Sequence, residues 1–522
     1  MQKVTLSDMP VKIKVINAII WVVFFMIGLL ISLPNHYFFR TYGMDLGYVL
    51  QIIDFHARGG LIPPPVSLAS QRLPGPMERM IFGHPHVSPA FILAVPFYWI
   101  GGVWGVLVFQ VLCFGIAAIG VFLYAWVRLR DGWAATLTHL HFWGMWGITS
   151  ALASDFHEVV IGIMGLPFVW LGLELRRYWL AFVGWAIFIG GKENLALWGV
   201  WMALGLCFFY KDAERRKRLL GMALAAALWF LAGHLFYSSK ASENIVIGPS
   251  RTETLYGYLA VSDPLAAING RSPESHFSYA RILRTFFTKP QLLWSLLFES
   301  PYDTGQYRFI KSELYWVLLW SGGWSFFFAP LYFVLLLPVF IYKFLSMDPA
   351  TWGIFHQYSV EFVCILPLAV LHAAGKWKKR SLFWVALAGG AIGAHLVNFF
   401  VMRGPYSIWY MPDNVLWYSC AHYRSDFLYP CVHEGLAIVP REAPVMVSHR
   451  LSPHVPPRPD YYVWPAGGAQ VDYILFLKSE YAPWPTLARE VAKDIRALER
   501  SRGWEKIWDK CDLVIFRRRP QR

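Results

Sequence analysis

Four short polar clusters interrupt an otherwise apolar chain, and their residue types are those of acid–base and phosphate chemistry. Thr41-Tyr42-Gly43-Met44-Asp45-Leu46-Gly47 offers one carboxylate in a glycine-flanked turn. Gly83-His84-Pro85-His86-Val87-Ser88 sets two imidazoles at i, i+2 around a proline, where both could face one metal or phosphate. Asp155-Phe156-His157-Glu158 gathers two acids and a histidine. Gly190-Gly191-Lys192-Glu193-Asn194 supplies a lysine, a point charge toward phosphates. His356-Gln357-Tyr358 adds further donors. A carboxylate near cationic groups can take a proton from an attacking hydroxyl while the cations receive a leaving phosphate. This inventory suits group transfer from a lipid-phosphate-linked donor.

Each cluster also has a plain structural reading. Asp45 could be a carboxylate stabilised at a helix start, and spacing alone weighs the two readings evenly. Asp155 and Glu158 could be ordinary caps of a following helix. Isolated histidines such as His84 and His86 are more often surface or packing residues. Lys192 and Glu193 could neutralise each other. His157 with Glu158 is the pair offered for a divalent metal, although the spacing matches no closed metal site.

The elements that must position these groups follow from composition. The chain has 522 residues, and only 15% are charged. Soluble domains carry about 25%, so an ordinary soluble enzyme is excluded. There are 47 Lys and Arg against 33 Asp and Glu. Much of the excess borders apolar stretches: Arg128 and Arg130, Arg176 and Arg177, Lys211 to Arg218, and Lys376 to Arg380. That is the positive-inside pattern, not a basic face for DNA or RNA, and no nucleic-acid partner is expected.

The pattern predicts an all-α polytopic membrane protein of about 11 transmembrane helices, with a small carboxyl-terminal α/β domain. The spans fall near 15–33, 105–127, 133–153, 159–175, 178–190, 194–210, 219–237, 309–322, 325–343, 358–375 and 381–402. Val15 to Leu33 is long enough to span and lacks a small-residue cleavage site, so it reads as a helix and not a cleaved signal. Segment 89–100 reads as a re-entrant or interfacial piece, because counting it as a span would invert every later basic cluster. The amino terminus is then cytosolic, and the polar clusters all face the other side. Domains follow: 1–402 in the membrane, with outer loops 35–104 and 238–308, a linker at 403–440, and an outer domain at 441–522. Within the first loop, Leu46, Val49, Leu50, Ile53 and Ala57 form a helical stripe expected to lie flat on the outer membrane surface. Cys420 and Cys431 share the polar outer linker and are candidates to pair if it lies outside the cytosol.

The order Tyr42-Gly43-Met44-Asp45, His84-Pro85-His86, Asp155-Phe156-His157-Glu158 and Gly191-Lys192-Glu193 resembles a family of bacterial predicted polytopic membrane proteins of unknown function. The resemblance covers about residues 15–400, and His449 to Trp464 is similar to the family's carboxyl-terminal portion. That family is distantly similar to GT-C glycosyltransferases, which include aminoarabinose and protein-mannosyl transferases. In those enzymes an acid follows helix one, a second acidic site follows helix three and a lysine follows helix five. Asp45, Asp155 and Lys192 stand at those places. Leu46 stands where many relatives carry a second carboxylate, and His84 and His86 replace their usual basic residues.

The resemblance implies hexosyl or pentosyl transfer from a polyprenyl-phosphate-linked sugar to an extracytoplasmic glycan, lipid or protein acceptor. Asp45 would be the base or position the acceptor. Asp155 and Glu158 would orient the acceptor or hold a metal. His84, His86, Lys192, His356 and Tyr358 would bind the donor phosphate. The expected place is the bacterial cytoplasmic (inner) membrane, among its lipids, with the carboxyl-terminal domain periplasmic. Two alternatives remain: a non-catalytic scaffold whose outer domain docks a protein partner, and a lipid flippase or transporter. The latter is disfavoured because the polar groups gather on one face, whereas carrier sites lie near the midplane.

Overall fold

In a computed structural model of the protein the described residues are 8–60, 88–243, 255–269, 278–302, 305, 307–424, 428–464, 470–480 and 488–520. His84 and His86 lie outside them. A helix coincides with each expected span. These are α1 (Val11–Tyr37), α3 (Val95–Leu129), α4 and α5 (Gly132–Gly144, Trp146–Leu152), α6 (Glu158–Glu174), α7 (Tyr178–Gly191), α8 (Glu193–Phe209), α9 (Ala213–Glu243), α10 (Ile310–Trp320), α11 (Pro330–Phe344), α12 (Phe362–Ala374) and α13 (Arg380–Phe400). Short α2 (Tyr48–Ala57) lies between α1 and α3.

Among the described residues, three helical stretches are each long and apolar enough to cross a membrane: Val11–Tyr37, Pro89–Leu129 and Arg380–Arg403. Pro349–Ser359 with Phe362–Ala374, bent by 77°, makes a fourth if the two count as one span. Among the described residues three others, α7, α8 and α11, are shorter apolar helices.

The apolar piece at 89–100 is set off from the span that follows it. It begins as a 3-10 turn, Pro89–Ala94, and continues as helix until the course of α3 breaks at Gly102 (φ 55°). The chain folds back there, so that the Phe97 ring lies 4.8 Å from that of Phe109 and the Phe97 carbonyl abuts Gly105. Glycine adopts that left-handed conformation without strain. The amphipathic stripe of α2, by contrast, does not lie on a membrane surface. Leu46, Val49, Leu50 and Ile53 are buried in the helical core, against α3 and the turn before it. The period was right, but protein and not lipid covers the apolar face.

Glycines set the close packing beneath the polar clusters. A Cβ on Gly191 of α7 would lie 2.7 Å from the Cα of Gly162 in α6, so the two backbones meet there. Small residues permit this approach in membrane helix pairs. The contact brings Lys192, just past the end of α7, beside Glu158 at the start of α6.

The carboxyl-terminal part folds as expected into strands and a helix. Its five strands are β1 (Val445–Val447), β2 (Tyr461–Val463), β3 (Tyr473–Leu477), β4 (Trp504–Lys510) and β5 (Leu513–Arg518), in sheet order β2-β1-β3-β5-β4. β1 pairs parallel with β2 and β3, and β5 runs antiparallel to β3 and β4. Strand alternation gives it two apolar faces. Met446, Ile474, Phe476, Val514 and Phe516 pack with Val491 of helix Ala488–Arg500. Val445, Val447, Leu475, Leu477 and Ile515 pack with Val432 and, from the opposite end of the chain, Phe39. The packed unit therefore reaches back before residue 441 and takes in the end of α1.

The expected Cys420–Cys431 pair does not form. Cys431 is bonded to Cys511, 80 residues away with Cα atoms 6.1 Å apart, while Cys420 is free and exposed. Helix Tyr429–Leu436 lies on the β4–β5 hairpin, whose two-residue turn is Cys511-Asp512, with φ of 53° and 69°. Two left-handed residues are what a tight hairpin of this twist requires, and the turn places the Cys511 thiol under the helix.

Candidate functional site

Asp45 sits in one π-helical turn, Gly43–Gly47, inserted where the chain leaves α1 and enters α2. Such wide turns are rare and are found at functional sites. This one is held from two sides. Asp155 reaches it from the α5–α6 connection, its Oδ2 accepting the Tyr42 amide at 2.7 Å and the Leu46 amide at 3.5 Å. From the carboxyl-terminal domain, the His449 carbonyl accepts the Gly43 amide at 2.8 Å. Ser452 packs so closely that a Cβ on Gly43 would come within 2.8 Å of it, and one on Gly47 closer still. The glycines are there because the carboxyl-terminal domain rests on them.

Asp155 itself has φ 67° and is 4% exposed. Burial pushes its carboxyl well above the usual range, and the neighbouring Asp45 carboxylate adds to the rise. The Tyr42 and Leu46 amides oppose it without cancelling it. Its Oδ1 is buried without a partner. Two carboxyls of unequal character thus share one small region: Asp45, half-exposed on the turn, and Asp155, buried and holding the turn.

Beside them lies a chain of charges. Glu158, at the first position of α6, pairs with Lys192 at 2.5 Å. Lys192 bears electrostatically on Glu361, as does Lys343 of α11. Glu361 accepts a hydrogen bond from the Tyr342 hydroxyl, and its other oxygen is buried without a partner. Lys343 donates to the carbonyl of Tyr358. His356 has φ 60° and neighbours His157, and its buried Nε2 has no partner. The loop before it is held by Ser407, whose Oγ accepts the Ile354 amide at 2.8 Å and the Phe355 amide at 3.3 Å.

The structure therefore brings Asp45, Asp155, His157, Glu158, Lys192, His356 and Tyr358 into one region. Tyr358 contributes its backbone carbonyl, and its ring lies beneath Lys343. The ring of His157 is engaged by the Ser154 carbonyl and Glu158 by Lys192. Among the described residues no group of three or more His, Cys, Asp or Glu stands together as a metal-ligand set.

Several participants were not singled out from the sequence. Glu361, Lys343 and Tyr342 lie in apolar stretches, where the rarity of charges within spans was the available signal. Arg40 offered no such signal. It is 6% exposed and donates to four carbonyls of the outer linker: Asp413 at 2.7 Å, His422 at 2.9 Å, Ala421 at 3.1 Å and Arg424 at 2.6 Å. Arg450 donates to the Phe39 carbonyl at 2.6 Å. These two arginines fasten the segments after residue 403 to the turn that carries Asp45.

The contact between α1 and the carboxyl-terminal domain is aromatic and rich in histidine. His36 stacks on His454 with ring centroids 4.1 Å apart, and Phe39 stacks on His454 at 3.9 Å. His433 meets His454 at 3.3 Å between ring nitrogens. Burial holds His454 and His433 below the ordinary histidine range, neighbouring charges adding to this at His454, and burial holds His449 at about 3.

The fold is similar to that of ArnT from Cupriavidus metallidurans in the apo state, with a TM-score of 0.50 over 96% of this chain and 97% of that one. Identity is 12%, so the likeness is one of fold, and it is the fold the GT-C resemblance implied. The sequence has no significant match among curated proteins. A family model spans residues 35–514, from the turn after α1 to the last strand, and the chain accordingly belongs to the family described as Predicted membrane protein (DUF2079).

Proposed function

We propose that the protein is an integral-membrane glycosyltransferase that moves a sugar from a polyprenyl-phosphate-linked donor to an acceptor outside the cytosol. The observation that carries this reading is the pairing of Asp45 with buried Asp155, next to the Glu158–Lys192 ion pair. The GT-C-like fold supports it. Asp45 takes the proton of the acceptor hydroxyl as that oxygen attacks the sugar's anomeric carbon. The bond from that carbon to phosphate breaks, and the polyprenyl phosphate leaves with its charge met by Lys192, which loosens from Glu158 to do so. Asp155 keeps the turn in place and performs no proton transfer. The outer domain acts as the clamp of that turn and borders the acceptor side. The cytoplasmic membrane, with the site on its outer face, is the place where such a donor and acceptor would meet.

The test is transfer by purified protein in lipid vesicles, offered a panel of labelled polyprenyl-phosphate sugars. Asp45→Asn abolishes transfer while folding and donor binding persist. Near-normal turnover in that variant would remove Asp45 from the mechanism. If no donor is turned over, and if Asp45→Asn with Lys192→Ala leaves the cellular phenotype intact, the scaffold reading replaces this one.

A further inference from the structure

Away from these groups, a cavity of about 400 Å³ lies against α10 and the outer end of α13. Its lining includes Glu313, Trp316, Trp320, Val397, Val401 and Tyr406. Trp316, Trp320 and Tyr406 are 62%, 61% and 62% exposed, so this wall faces the lipid in a chain that spans the membrane. Aromatic residues of this kind gather at the level of lipid headgroups.

Glu313 is the exception in that apolar wall. It is 9% exposed, and its Oε1 accepts the Tyr406 amide at 2.8 Å, with Ser407 hydrogen-bonded to the same carboxyl. Its Oε2 is buried without a partner, and no lysine, arginine or histidine contributes to its surroundings among the described residues. A carboxylate at the edge of a bilayer is expensive unless a cation or a strong donor completes it. The chain leaves that role to something outside itself, at the end of a groove shaped for an apolar tail.

We infer that this groove binds one phospholipid with a primary ammonium headgroup, of the phosphatidylethanolamine type. Its ammonium donates to Glu313 Oε2, and one acyl chain lies along Trp316, Trp320, Val397 and Val401. A primary ammonium has three N–H donors. A quaternary headgroup has the same charge and none, so it cannot make that bond. The site is also tied to the polar region, because Ser407 bridges Glu313 to the amides of Ile354 and Phe355 just before His356. The inference does not depend on the transferase reading.

The full chain, delipidated in mild detergent, is titrated with phosphatidylethanolamine and with phosphatidylcholine of identical acyl chains, and native mass spectrometry counts the bound lipids. A single ethanolamine lipid should bind about tenfold more tightly, the size of one charge-assisted hydrogen bond. Glu313→Gln should erase most of that preference, and Trp316→Ala should weaken both lipids alike. Should Glu313→Gln fail to fold, the wild-type chain alone decides, through lipids carrying one, two or three N-methyl groups. Affinity that drops when the last N–H is removed supports the site. Equal affinity across that series, a full preference retained in Glu313→Gln, or undiminished binding by Trp316→Ala overturns it.

Discussion

The amide of Gly43 is held by the carbonyl of His449, 2.8 Å away, so a turn leaving the first helix is fixed by the carboxyl-terminal domain, some four hundred residues on. Ser452 fills the space that side chains on Gly43 and Gly47 would need. Gly43→Ala should therefore push the two parts apart, costing roughly 1–3 kcal/mol as overpacking does. Thermal unfolding in detergent measures it. Pairing Gly43→Ala with Ser452→Gly should restore much of the loss, and a double variant no better than the single one would contradict the contact.

Asp155 holds the same turn from the membrane side, in a form that burial and Asp45 drive toward neutrality. A neutral isostere should serve almost as well. Asp155→Asn should change stability by less than about 1 kcal/mol, whereas Asp155→Ala should lose roughly 1–3 kcal/mol by leaving the Tyr42 amide without its acceptor. Because the folded carboxyl titrates above its unfolded counterpart, its contribution is full at low pH and declines as pH rises through the elevated value. Asp155→Asn should remove that decline, which unfolding midpoints across pH would display.

The Glu158–Lys192 pair is largely buried, with side chains 9% and 16% exposed. Lys192→Met takes the cation from a largely buried carboxylate and should destabilise by about 3–5 kcal/mol. Adding Glu158→Gln should recover most of this, since the carboxylate that lost its cation is then removed as well. Additive losses in this double-mutant cycle would mean that the two groups do not pair.

Acid should loosen the carboxyl-terminal domain. Unfolded histidines take protons near pH 6.5, while folded His449 resists them until about 3, and His454 and His433 are also lowered. Stability is therefore complete above about pH 6.5 and lost as pH falls, by up to about 1.4 kcal/mol per pH unit for each fully buried imidazole. His454 faces His36, His433 and Arg450, all of which penalise a new positive charge. Hydrogen-exchange protection across β1 to β3, taken relative to the intrinsic amide rate at each pH, should fall between pH 7.5 and pH 5, and His454→Phe should blunt that fall.

Much of this architecture was legible in apolar run lengths and in the basic clusters between them, because lipid-facing helices impose composition directly. Asp45, Asp155 and Lys192 were legible as polar residues at the ends of such runs. What stayed hidden depends on distance along the chain. Cys511 could be matched with Cys431 only once the β4–β5 hairpin was known to lie beneath helix Tyr429–Leu436. Periodicity marked the stripe of α2 as apolar, yet could not tell a protein partner from a lipid one. Arg40 reads as an ordinary basic residue after a span, and only tertiary structure shows its guanidinium gathering four carbonyls from residues 413 to 424. Glu361 and Lys343 were exposed to view as charges in apolar stretches and needed only stricter use of that rule.

The grip of Arg40 on a segment almost four hundred residues downstream also sets an order of assembly. The turn bearing Asp45 emerges with the first helix, but the carbonyls, the glycine-filling serine and the stacked histidine that fix it are made last. Until residues 413 to 454 have been synthesised, the turn is held by Asp155 alone and lacks its contacts to the carboxyl-terminal part. A truncated intermediate would carry the two acids on a turn only half fastened. The geometry around Asp45 is thus completed only once the carboxyl-terminal domain has folded onto it.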